Sequence, residues 1–183
     1  MRGRMHMLYR NIEQFITQFP IYQYEFIDTN EIEFDNKVRT FCKKDCPHYG
    51  KSWSCPPAIR NIDKCKEKCL KYPKALLFSS ITEEANNARE ITNDKRKHDQ
   101  LVKQIANFMK VNNVPYYALS SDECTLCEKC SYPKKPCMRP EVMLPCVESH
   151  GIVLIDLMEK HQMDYLLEDN MKIWVGIIFL EEE

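Results

Sequence analysis

Cys124, Cys127 and Cys130 stand at intervals of three, C-x2-C-x2-C, and Cys137 follows after the spacer Ser131-Tyr132-Pro133-Lys134-Lys135-Pro136. Thiolates at that spacing on a loop can wrap one iron–sulfur cubane, each sulfur meeting a different iron. Bacterial ferredoxins use the same run with a fourth cysteine after three residues, and that fourth thiolate serves their other cluster. The longer spacer here gives Cys137 the reach to fold back onto the same cluster. Zinc is the competing ion. It favours two separated ligand pairs, which this chain would assemble from Cys124 and Cys127 with Cys137 and Cys146. A loop of free thiols with no metal is the third reading. Lys129, Lys134, Lys135 and Arg139 flank the run; they would offset the charge of a thiolate-bound cluster, or they are simply a solvated loop.

A second group precedes it. Cys42-x3-Cys46-Pro47 and Cys55-Pro56-Pro57 put three thiols in a proline-braced segment, where proline fixes φ and removes a competing donor. Three cysteines on a cubane leave one iron open to bind substrate or sulfur as a Lewis acid. His48, Cys65 or Cys69 could instead supply a fourth ligand. Cys65 and Cys69 are four apart and would share a helix face, where two reduced, partly buried thiols are an equally good account. Tyr49 and Trp53 are candidates to shield the site, or ordinary core aromatics. From Cys42 to Lys74 nine basic residues face three acidic ones, a patch that would guide an acidic partner or be a solvated face. His48 and His150 each lie near a cysteine, but nucleophilic catalysis needs base and thiol to meet in space. His98 reads as a surface residue.

The whole chain narrows the choice. Its 183 residues suffice for one domain with a real core, and 26 basic against 27 acidic residues argue for neither nucleic acid nor an anionic membrane surface. No apolar run approaches a membrane span, and the basic start leads into an amphipathic segment rather than a signal-peptide core. The expected compartment is therefore the cytoplasm, where ten cysteines point to metal or redox chemistry and not to disulfides. Four glycines form neither a GxGxxG turn nor a P-loop.

The elements that must position these groups follow from periodicity. Leu8, Ile12, Phe15, Ile16 and Phe19 predict a helix ended by Pro20. Tyr22–Phe26 and Ile32–Phe34 alternate as two strands of a hairpin around Asp28-Thr29-Asn30. The cysteine-rich stretch to Tyr72 reads as a loop with a short helix near Lys64–Leu70, and Ala75–Phe78 as a buried strand. The polar stretch from Thr82 to Gln100 is expected to be helical or partly exposed. Leu101, Val102, Ile105, Phe108 and Met109 mark a helix face, Val114–Leu119 a strand, and Val153, Leu154, Leu157, Met158 and His161 a helix. Ile173–Leu180 is apolar almost throughout, as in a strand buried on both faces. The expected fold is α/β or α+β: a single domain, residues 1–183, whose mixed sheet has flanking helices and two cysteine-rich metal-binding loops. Residues 1–40 supply an N-terminal helix and strands, 41–72 the first cysteine loop, and 73–183 a sheet and helix core carrying the second loop at 124–146.

Two motif stretches together resemble a known family. They are Cys42-x3-Cys46-Pro47-x-Tyr49-Gly50-Lys51-x-Trp53-x-Cys55-Pro56-Pro57 and the run from Cys124 to Cys137 with Tyr132-Pro133, Pro136 and Pro140, then Pro145-x2-Glu148-x2-Gly151-Ile152. The combination resembles a cysteine-rich family of predicted metal-binding proteins of anaerobic bacteria and archaea, over roughly residues 40–180. The resemblance implies an iron–sulfur metal site with no settled reaction, and ligand roles for Cys42, Cys46, Cys55, Cys124, Cys127, Cys130 and Cys137. Cys146 stands where the family is expected to carry a small hydroxyl residue, and Cys65 and Cys69 are extras; any of them could add a ligand.

Three functions remain open. The first is a redox or electron-transfer protein with one or two iron–sulfur clusters, 4Fe–4S by preference, serving a partner protein in an anaerobic pathway. The second is an enzyme using an open iron for sulfur or substrate chemistry. The third is a zinc-stabilised interaction module, with nucleic acid a disfavoured partner. Whether the protein is an enzyme is undecided at this stage.

Overall fold

A strand apolar along nearly its whole length must be covered on both faces, and β4, Lys172–Leu180, is such a strand from Ile173 onward. The computed structural model describes residues 2–84, 86–167 and 170–181. In it β4 lies inside a four-stranded sheet of order β1-β2-β4-β3. β2 (Lys74–Thr82) pairs along one side of β4 and β3 (Tyr116–Ser120) along the other, while β1 (Gln23–Asp28) extends β2 outward. The fold is α+β in a single domain. All three strand pairings are antiparallel, so the mixed sheet expected from the sequence reduces to an antiparallel one with an isolated parallel bridge, Ser120 to Cys146.

Alternation along β4 sends its side chains to two cores. Ile178 and Leu180 join Leu76 and Phe78 beneath α1 (Arg2–Ile16) and α4 (Ala88–Val111), which contribute Ile12, Ile16, Ile105 and Met109. Val175, Ile177 and Phe179 face Ile152, Leu157 and Met158, on the side of α3 (Ile62–Cys69) and α5 (Leu154–Lys160). Helix starts follow the capping rule. Asp35, Asn61 and Asn87 accept backbone N–H groups of α2 (Asn36–Asp45), α3 and α4 respectively. Among the described residues no helix is long and apolar enough to cross a membrane.

Three local expectations are corrected. Ile32–Phe34 does not pair with β1 in a hairpin. A 3-10 turn, Thr29–Glu31, carries the chain off the sheet, β1 takes β2 as its partner, and Phe34 bridges Ile152. The first cysteine stretch holds the expected short helix as α3, with Cys65 and Cys69, but its start is helical as well: α2 carries Cys42 where a loop was expected. His98 is not a surface residue. It is 1 % exposed on the inner face of α4, its Nδ1 is 2.8 Å from Ser80 Oγ, and its ring lies against Phe78.

Gly176 is the point of closest approach within the sheet, because Phe78, its partner across the β2–β4 ladder, lays its ring over the missing side chain. Gly176→Ala would force a methyl into that ring, and we expect a loss of about 1–3 kcal/mol in urea unfolding. Burial also pushes the His98 imidazole down, to about 3. Below the ordinary value of about 6.5 the unfolded chain binds a proton that the folded chain refuses, so stability falls as pH drops from there toward the folded value. Unfolding measured between pH 7 and pH 4 should therefore be shallower in its pH dependence for His98→Gln, by up to about 1.4 kcal/mol per unit.

Candidate metal centre

The cysteines of the first group converge from three segments. Cys42 sits in the last turn of α2, and Cys46 caps that helix with its N–H on the Cys42 carbonyl at 3.3 Å. Gly50, at φ +70°, donates its N–H to the Pro56 carbonyl at 2.9 Å, which turns the chain back and returns Cys55 toward Cys46. The third segment arrives from far along the chain: the Cys146 N–H donates to the Ser54 carbonyl at 3.0 Å. Cys42, Cys46, Cys55 and Cys146 line one cavity of about 560 Å³, together with Glu148 and Tyr165. The Cys146 thiol lies 2.7 Å from Glu148 Oε2.

The electrostatics of this cavity are one-sided. Burial pushes the Cys42 thiol up to about 11, with Glu148, Cys46 and Cys55 adding to the shift and Arg39 opposing it. Burial raises Cys46 as well. Within the Cys55–Cys146 pair, a shared hydrogen bond holds Cys146 protonated and favours the thiolate of Cys55. Burial raises the Glu148 carboxyl. Among the described residues no ion pair reaches Glu148: Arg39 is occupied by the Ser149 and Arg60 carbonyls, and Lys172 pairs with Asp122 at 2.9 Å. A group of soft donors, two buried and two half-buried, beside a carboxyl without a partner cation fits a thiophilic metal, whose charge would stabilise the thiolates.

The second group sits on the loop leaving β3. Ser120, at the end of that strand, donates its hydroxyl to Asp99 Oδ1 at 2.7 Å. Asp99 also takes Lys95 Nζ at 2.5 Å and both the N–H and the hydroxyl of Thr125, at 3.3 and 2.7 Å. α4 thus grips the residue next to Cys124 with a buried ion pair. Burial pushes the Asp99 carboxyl up, but Lys95 and the hydrogen bonds of Thr125 and Ser120 outweigh it and leave Asp99 below the usual carboxylate range. Cys124, Cys127 and Cys130 line a cavity of about 530 Å³, and Cys137 lies outside that lining. The spacer is closed by Lys135 N–H on the Ser131 carbonyl at 3.0 Å and by the Ser131 hydroxyl on the Pro136 carbonyl at 2.8 Å. These half-buried thiols supply the soft donors that a cluster requires, and their loop is held by bonds of its own spacer.

Ser54 joins the two groups. Its hydroxyl accepts the Cys124 N–H at 2.9 Å, stands 3.6 Å from the Cys55 sulfur, and belongs to the residue whose carbonyl holds Cys146. Trp53 adds to the joint by donating its indole N–H to the Lys135 carbonyl at 3.1 Å and packing edge-on against Tyr132. His48, a candidate fourth ligand of the first group, is 3.2 Å from Glu123 and lines the cavity of the second. Cys69 is fully buried in the core and pushed up to about 12, while Cys65 contacts Arg39 and the Arg60 carbonyl. His150 directs Nδ1 to the carbonyl of Cys146 and Nε2 to the Tyr117 hydroxyl, so neither nitrogen is engaged with a thiol. Among the described residues no three His, Cys, Asp or Glu side chains stand as they would around a single metal ion.

Comparison with family models matches residues 25–180 to the predicted metal-binding proteins DUF2284. The chain belongs to this family. The matched span contains all ten cysteines, both loops and the Ser54 joint. No curated protein and no solved structure matches the chain.

Sequence reasoning missed Ser54, Asp99 and the place of Cys146. The first two carry no motif signal, whereas Cys146 lies inside the Pro145-x2-Glu148 stretch already singled out. Asp99→Ala should cost about 3–5 kcal/mol, because it leaves Lys95 charged and buried. Released from Thr125, the Cys124 loop should also lose metal faster to a chelator. Urea unfolding and the rate of chelator-driven metal release, each against wild type, check the two effects.

Proposed function

We propose that this metal-binding protein is an iron–sulfur protein of electron transfer, with one cluster on Cys124, Cys127, Cys130 and Cys137 and a second on the group of Cys42, Cys46 and Cys55. The observation that carries the reading is the Ser54 joint, which holds one residue of each group in contact with a single oxygen. When bound, a 4Fe–4S cluster supplies a one-electron couple, taking up or giving one electron with no bond made or broken in a substrate. The chain's part is to fix the two loops against each other and to keep water from the inner group. Buried Ser54 does the first; buried Ile152 and Leu154 on the cavity wall contribute to the second. Lys129, Lys134, Lys135 and Arg139 around the outer group suit a redox partner with an acidic face. Cytoplasmic work in an anaerobic pathway accords with thiols only half-buried from solvent.

One observation favours a second reading, an enzyme with an open iron at the inner group: the cavity beside Cys42, Cys46 and Cys55 is large enough for a small substrate. Both readings are tested first by preparing the protein without oxygen and measuring iron, zinc, acid-labile sulfide and visible absorption per chain. We expect a brown protein with about eight irons and matching sulfide, a cubane at each group. About four irons would leave one group unloaded, and zinc without sulfide in a colourless protein would overturn both iron readings.

A further inference from the structure

The inner group has four thiols at its cavity, one more than its sequence motif supplies. We propose that Cys146 is the fourth protein ligand of the inner centre, which makes it a four-thiolate site of Cys42, Cys46, Cys55 and Cys146 with no coordination position left for substrate. This rests on the metal reading above and chooses between its two forms.

Cys146 is placed with little freedom. Its N–H is held by the Ser54 carbonyl, its carbonyl accepts the Ser149 hydroxyl at 2.5 Å and meets His150 Nδ1 at 2.9 Å, and its backbone bridges Ser120. Those bonds fix the Cα, and they direct the thiol to the wall that Cys42, Cys46 and Cys55 share. A ligand held by backbone bonds on both sides loses little entropy on coordination. The other candidates for the fourth place are committed elsewhere: His48 to Glu123, Cys65 to Arg39 and the Arg60 carbonyl, Cys69 to the core.

Glu148 stands behind Cys146 as its neighbour at 2.7 Å. It is a carboxyl against a ligand sulfur, the usual place of a residue that orients a ligand. It also accepts the Asp122 N–H at 3.3 Å, two residues before Cys124, so the support of the inner centre reaches the root of the outer loop.

The test compares anaerobically prepared full-length wild type, Cys146→Ala, and Cys69→Ala as a matched loss of a buried thiol outside the site. Metal and sulfide per chain and the EPR spectra of the oxidised and the reduced protein are measured for each. We expect Cys146→Ala to drop from about eight irons to about four, or to about seven with a three-iron EPR signal, while Cys69→Ala keeps the wild-type content. Full iron and an unchanged spectrum in Cys146→Ala would overturn the ligand assignment and leave the iron–sulfur reading intact. Wild type without iron and sulfide would overturn the reading itself, and the ligand assignment with it. A second measurement needs no variant: reduced wild type is titrated with cyanide, which binds an open iron. An unchanged EPR spectrum is expected of a centre closed by four thiolates, and new cyanide-dependent signals would show an open position.

Discussion

Three cysteine-bearing segments that are distant in sequence meet at one buried serine. Ser54 is 0 % exposed, and its two oxygens take the N–H groups of Cys124 and Cys146, residues 70 and 92 positions along the chain. Buried backbone donors require partners, and here both donors of the incoming loops find theirs on the residue beside Cys55. A carbonyl alone could hold one loop. The hydroxyl is what lets the same residue hold the second, so the chemistry of a short polar side chain decides that the two cysteine groups are neighbours.

Around that joint the fold treats buried charge in two ways. At Asp99 an acid is balanced within the chain, by Lys95 and by Ser120 and Thr125 donors. Such a site is complete, and its role is to hold β3, α4 and the Cys124 loop together. At Glu148 and the four inner thiols no cation among the described residues completes the group; Cys42, Cys46 and Cys146 are pushed up, only Cys55 is pushed down, and Arg39, the cation that bears on Cys42, is spent on carbonyls. Burying acids without a counter-charge is costly unless they stay neutral. A bound cation would stabilise such a group, because metal coordination favours the deprotonated form of thiols. The family's description as metal-binding and the electrostatics of this one cavity thus agree from independent directions.

Much of the frame was legible in the sequence because it rests on local rules. The unbroken apolar run of β4 announced a strand buried on both faces, and the helical spacing of Leu101, Ile105 and Met109 announced the inner face of α4. The cysteine spacing marked both loops. What was not legible depends on partners brought together only by the fold. The alternation of Ile32 and Phe34 is real, but β1 gained a longer ladder on β2 than a hairpin could offer. His98 looked polar in a polar stretch, and its burial follows from a turn of α4 that places it over Phe78. Cys146 looked like a partner for Cys137, and its backbone bond to Ser54 puts it with Cys55 instead. No spacing rule could have found that bond.

The two faces of the sheet carry comparable cores but are covered differently, and that difference bears on where a metal would matter most. α1 and α4 cover one sheet face with long helices and close-packed apolar side chains, a layer that needs no ligand to hold it. On the other face α2 contributes no fully buried residue and α3 and α5 are short. That side is closed by loops: the Asp35 N–H on the Gly151 carbonyl, the Val153 N–H on the Glu33 carbonyl, and the cysteine segments themselves. Coordination across Cys42, Cys55 and Cys146 would therefore tie together the loop segments that close this face and add its binding free energy to them. Metal binding and folding of this face are then a single equilibrium.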